Sequence, residues 1–256
     1  VALAWAVARR VFRPLHIGRL AAPAAALLMA VSPLHVYYSQ EARMYTLLTA
    51  LGMAAGYALL RIVANGSGAT VSQNSRDSQF GYTKQRLIWW TAFTLTAIAL
   101  LYTHYFAVFL LLAYGLFFVF FLTALLTKRS PGAKRLAFEG LCASLIIGLA
   151  YLPWLPNLLR RFGQDASYWA GALKLNEALR HLAISFSSGE TVLEAQAIPL
   201  AWITAGLAAL CLAALLWTAA SAQLDRQPLG MPTPWWAILF VVLYLAAPVV
   251  CILALA

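Results

Sequence analysis

Charge is scarce in this chain, and acid is scarcer still: 8 Asp and Glu stand against 18 Lys and Arg in 256 residues. Only 10% of the residues are charged, where a soluble globular domain carries about a quarter. That excludes an ordinary soluble domain. Cysteine is nearly absent, and Cys142, Cys211 and Cys251 lie far apart inside apolar runs. This excludes a disulfide framework, a redox pair and a Cys-based metal site. A Gly-rich phosphate loop and a Ser-His-Asp motif are also missing. The net charge of +10 does not imply nucleic acid, because no polar face interleaves basic and aromatic residues.

What the chain has instead is length of apolar run. It is 63% hydrophobic with a mean hydropathy of +0.79, and its runs approach the roughly 20 residues a helix needs to cross a bilayer. The expectation is an all-α, polytopic transmembrane bundle forming a single domain over 1–256. About seven complete spans are expected, at 20–38, 45–63, 87–102, 105–126, 136–155, 198–217 and 235–256. Residues 1–8 read as the remnant of an earlier helix, so the chain is taken as lacking a first helix and first outer loop.

The loops alternate in charge as such a topology requires. Arg9, Arg10, Arg13 and Arg19 carry no acid among them. The flexible-looking segment 64–86 has Arg76, Lys84 and Arg86 against Asp77. Lys128, Arg129, Lys134 and Arg135 form the next basic loop. All three are expected on the cytoplasmic side. The stretch 157–197 balances four cations with four acids and is expected outside, with an amphipathic surface helix over 173–186. Pro23 and Pro33 mark expected kinks or ends in the 20–38 run, and Leu152-Pro153-Trp154-Leu155-Pro156 an expected helix end at the interface. Glu139, close to the basic loop, reads as a helix-start carboxylate.

The polarity that remains gathers on the outer side. Between two apolar runs stands Ser32-Pro33-Leu34-His35-Val36-Tyr37-Tyr38-Ser39-Gln40-Glu41-Ala42-Arg43-Met44-Tyr45. If 40–45 is helical, Tyr37, Glu41 and Tyr45 share a face. Glu41 suits a base, a divalent-cation ligand or an ion pair with Arg43. Arg43 suits a phosphate, whose oxygens match its planar fork, or lipid head groups. The tight turn Tyr102-Thr103-His104-Tyr105-Phe106 presents His104 on the same side. Its tyrosines equally suit an interfacial aromatic belt. One-sided clustering favours a site at the outer boundary over a path through the bilayer.

These residues resemble the S-P-x-x-x-x-Y-S-Q-E-A-R-M-Y stretch of bacterial membrane glycosyltransferases of the dolichyl-phosphate-mannose–protein mannosyltransferase-like superfamily (glycosyltransferase family 39-like), with the GT-C fold. The 102–106 and 152–156 segments resemble that family too, in its order and at similar separations. The likeness covers about 1–156. It implies inverting transfer of a sugar from a polyprenyl-phosphate carrier to a lipid, glycan or protein acceptor, at the extracytoplasmic face of the bacterial inner membrane. It implies a catalytic base in the first outer loop, upstream of Val1. Glu41 would be a supporting carboxylate and candidate divalent-metal ligand. Arg43, His104, Tyr45, Gln40 and Tyr105 would contact the substrate. The bilayer itself is the remaining partner. Two other readings stay open: a transporter or flippase of lipid-linked saccharides, and an inactive scaffold of the envelope.

Overall fold

The computed structural model describes residues 1–13, 18–40, 44–66, 76–130, 132–164, 175–189, 194–222 and 234–255. Among them the chain forms eleven α-helices and one 3-10 turn, with no strand. In order these are α1 (Ala2–Val11), α2 (Gly18–Val31), α3 (Pro33–Gln40), α4 (Tyr45–Gly66), α5 (Arg76–Thr103), α6 (Ala107–Thr127) and α7 (Ala133–Tyr151). The 3-10 turn Leu152–Trp154 follows, then α8 (Leu155–Gln164), α9 (Leu175–Ser188), α10 (Glu194–Ala222) and α11 (Pro234–Leu255).

Five stretches among the described residues are long and apolar enough to cross a membrane: Tyr45–Asn65, Lys84–Thr103, Ala107–Thr127, Ala133–Arg160 and Ala195–Ala214. Arg19–Val31 and Pro33–Gln40 make a sixth if the 56° bend between them lies within one span, and Trp235–Cys251 is a shorter apolar helix. The surface agrees with a lipid environment. Leu20, Leu210, Trp202 and Trp217 are among many large apolar side chains left exposed, a patchwork that water would penalise. The protein is an all-helical, multi-pass membrane protein. All seven expected runs are helical among the described residues; the 20–38 run differs from the expectation in being divided at Pro33. Proline lacks the N–H that would continue the ladder; Ser32 restarts the helix by accepting Val36 N–H at 3.0 Å, with Pro33 in the first turn where no donor is needed. Pro23 sits inside α2 without ending it.

Two further expectations change. Residues 76–86 are the first turns of α5 rather than loop; with no proline and only Gly81 in that run, loop-like polarity did not prevent helix. The 152–156 segment ends α7 at Tyr151, as expected, but it does not end helical structure. Pro153 lies in the first turn of the 3-10 segment and Pro156 in the first turn of α8, positions that tolerate proline, so helical structure runs on to Gln164.

The described residues fall into two compact units. One holds α1, α2, α3, α9 and α10. Here Ile184 of α9 packs on Ala197 and Ala201 of α10, small residues that let the backbones approach. Helix α9 occupies the expected amphipathic segment; Ile184 and Ala183 belong to its packed side, while Phe186 is left exposed. Gly189 caps α9 with φ +81°, and a Cβ there would come within 3.2 Å of Pro33 Cβ. Glycine alone meets both demands without strain.

The other unit holds α4 from Leu47, α5 to α8, and α11 as far as Pro248. Its centre is Tyr114 of α6, buried against Gly52 and Gly56 of α4. Its hydroxyl donates to the Gly52 carbonyl at 2.7 Å, and its ring stacks on Phe240 and Tyr244 of α11. Phe117 and Phe121 extend this seam to Trp236. Apolar burial gives helices little drive to associate inside lipid, so such close contacts and satisfied hydroxyls hold the unit together. Thr96, Thr103, Ser144 and Thr123 donate to carbonyls one turn back on their own helices, which satisfies mid-span hydroxyls without a ligand.

Candidate functional site

The polar stretch at 32–45 is described on either side of residues 41–43. Glu41 and Arg43, and with them the face expected for Tyr37, Glu41 and Tyr45, lie outside the described residues. The flanks are clasped together. Tyr38 packs edge-on against Tyr45 with ring centres 4.8 Å apart and against Tyr37 at 5.3 Å. Thr46 Oγ1 donates to the Tyr38 carbonyl at 2.7 Å, so a hydrogen bond and a ring pair join the end of α3 to the start of α4. Gln40 closes α3 and is exposed; Tyr45 opens α4 and is half-buried. These two predicted residues therefore stand on either side of residues 41–43, in one unit.

His104 and Tyr105 belong to the other unit, in the turn between α5 and α6. The turn is as tight as expected. His104 N–H donates to Leu100 O at 3.1 Å and Ala107 N–H to His104 O at 2.9 Å. Phe106 N–H donates to His104 Nδ1 at 3.1 Å. With Nδ1 accepting, the neutral ring carries its proton on Nε2. The imidazole stacks on Tyr105 at 4.8 Å. Burial holds the His104 pKa below its ordinary value of 6.5, so at neutral pH the ring is an uncharged donor rather than a cation.

Tyr102 ties this turn to the 152–156 segment. Its hydroxyl donates to Ala150 O at 2.8 Å; its ring meets Tyr151 at 5.7 Å and Trp154 at 6.2 Å. Two of the three segments singled out in the sequence therefore meet at one end of this unit. Tyr102 and Trp154 remain about half exposed there.

The opposite end of α5 holds a group that sequence reasoning misplaced. Glu139 is the seventh residue of α7, past the first turn where a helix dipole is felt. Its Oε2 accepts from Arg86 and, at 2.8 Å, from Trp90 Nε1; its Oε1 accepts from Arg135 Nε at 3.0 Å. Arg86 is buried, whereas Arg135 is 56% exposed. The i, i+4 spacing of Arg135 and Glu139 was a sequence signal for half of this cluster. The partnership with Arg86 and Trp90, 53 and 49 residues away, had none. Among the described residues no three His, Cys, Asp or Glu side chains gather as a metal site; Glu41, the expected metal ligand, lies outside them.

The chain matches no protein-family model, and no curated protein or solved structure shows significant similarity to it.

Proposed function

We propose that the chain is a membrane glycosyltransferase that moves a sugar from a polyprenyl-phosphate carrier to a lipid, glycan or protein acceptor at the outer membrane boundary. The single observation that carries this reading is the pairing of the 102–106 turn with the 150–154 segment through Tyr102, since both resemble segments of one transferase family. The polar stretch 32–45, with its clasped flanks, supports it from the other unit.

The chemistry follows from the residue types. Breaking the bond between the anomeric carbon and a carrier phosphate leaves negative charge on phosphate oxygen, which cationic or hydrogen-bonding groups stabilise. In this reading Arg43 supplies the charge, and Gln40 and Tyr45 orient the sugar phosphate. The resemblance gives His104 and Tyr105 a substrate contact as well, His104 as a neutral N–H donor. Glu41 supports the acceptor side or a divalent cation and is not the base. A boundary location keeps the prenyl tail in lipid while the sugar meets water.

The test is transfer from a defined polyprenyl-phosphate sugar by the protein reconstituted in liposomes. Arg43→Ala is expected to lower kcat by about a hundredfold, the scale for losing one group that stabilises developing charge. Glu41→Ala is expected to lower turnover as well. Wild-type transfer by both variants at wild-type expression refutes the site assignment.

A further inference from the structure

Helices α5 and α7 run side by side in the same direction: early residues pair through Arg86 and Glu139, late ones through Tyr102 and Ala150. Between them lies a groove of about 450 Å3, within the range of small-molecule sites. Its lining changes along its length. At the start of the helices stand Arg86, Arg135, Phe138 and Glu139; farther along come Thr91 and Thr94, and then the apolar Leu95, Cys142 and Ile146. From Arg86 to Leu95 the axial distance is about 14 Å at 1.5 Å per residue. A charged head and an apolar body of that length describe an amphiphile.

The charge at the head end is lopsided. Glu139 accepts from both Arg86 and Arg135. Arg135 meets Glu139 through Nε, and its side chain is 56% exposed, which leaves its terminal amino groups for a second anion. Residues 84–139 contain six Lys and Arg and a single acid, Glu139. Lys84, Lys128, Arg129 and Lys134 are all exposed. A second copy of the chain, packed symmetrically, would bring these same cations face to face. A zwitterionic lipid would leave the excess uncompensated.

We propose that this groove seats an anionic phospholipid of the bilayer, with its phosphate on Arg135 and an acyl chain along Leu95 and Ile146. The site lies at the opposite end of α5 from His104, and it does not depend on the transferase reading. Basic recesses between membrane helices bind lipid head groups by this chemistry.

Cys142 in the groove wall reports occupancy. With Cys211→Ser and Cys251→Ser, the protein is placed in nanodiscs of phosphatidylcholine with or without phosphatidylglycerol, and N-ethylmaleimide labelling of Cys142 is timed. Native mass spectrometry counts retained phosphatidylglycerol. Slower labelling and retained lipid are expected with phosphatidylglycerol. Arg135→Gln, at an exposed position, is expected to weaken the preference about fivefold, the worth of one basic residue at an anionic surface. Glu139→Gln, which removes the competing carboxylate, is expected to strengthen it. Equal labelling in both lipids, or a preference unchanged in Arg135→Gln, overturns the proposal. Protection that follows protein density rather than lipid identity assigns the groove to a second copy and overturns it equally.

Discussion

His104 condenses the chemistry of the α5–α6 turn into one side chain. Its ring is oriented by Phe106 N–H and stacked on Tyr105, and burial favours its neutral form. The pH consequence has a definite sign. As pH falls through 6.5 the unfolded chain takes up a proton first, so the folded state loses stability from there down to its lowered pKa; above 6.5 this group adds no slope. Thermal unfolding in detergent between neutral and acid pH should therefore fall more steeply for wild type than for His104→Asn, which keeps an acceptor for Phe106 N–H but does not titrate. Parallel slopes would show that His104 is not held neutral by the fold. Neighbouring Tyr102 makes a separable contribution. Tyr102→Phe retains the ring contacts with Tyr151 and Trp154 but loses the bond to Ala150, for an expected loss of about 1 kcal/mol by denaturant unfolding.

At the scale of the element, α7 contains a matched pair of glycines. A Cβ on Gly140 would come within 2.5 Å of Phe118 Cε1, whereas one on Gly148 would meet nothing within 4 Å. Alanine gains up to about 1 kcal/mol over glycine in a helix interior, while overpacking costs about 1–3 kcal/mol. Gly148→Ala should raise the midpoint of thermal unfolding and Gly140→Ala should lower it. Like shifts for both would mean that α6 and α7 do not pack through Gly140. Helix existence was legible in the sequence because apolar run length sets it: the 45–63 run became Tyr45–Gly66, and the 105–126 run became Ala107–Thr127. What escaped was settled by local geometry or by tertiary contact. The prolines at 153 and 156 do mark the end of α7, but composition does not reveal that both fall in first turns from which helix resumes. Glu139 read as a helix-start charge because Arg86 and Trp90 reach it from a different helix.

For the molecule as a whole, loop charge makes a checkable statement about sidedness. The α6–α7 turn around Ser130 should face the cytoplasm and the α5–α6 turn around Phe106 the other side, by the excess of Lys and Arg near the former. In a background without the three native cysteines, Ser130→Cys should label only in inside-out vesicles and Phe106→Cys only in right-side-out ones. The reverse pattern would place the 102–106 turn in the cytoplasm and remove it from an extracytoplasmic reaction. The break at Ser32 has a vertical consequence of its own. At 1.5 Å per residue, the 14 residues of α2 rise about 21 Å and the 8 of α3 would add about 12 Å more in line. Turned through 56°, α3 adds only about 7 Å of height and travels about 10 Å sideways. The pair then stands about 28 Å tall, close to the roughly 30 Å of bilayer hydrocarbon, where a straight rod would stand about 33 Å. The bend converts surplus length into lateral reach: Gln40 gains about 7 Å of height in place of about 12 Å and is carried about 10 Å away from the axis of α2.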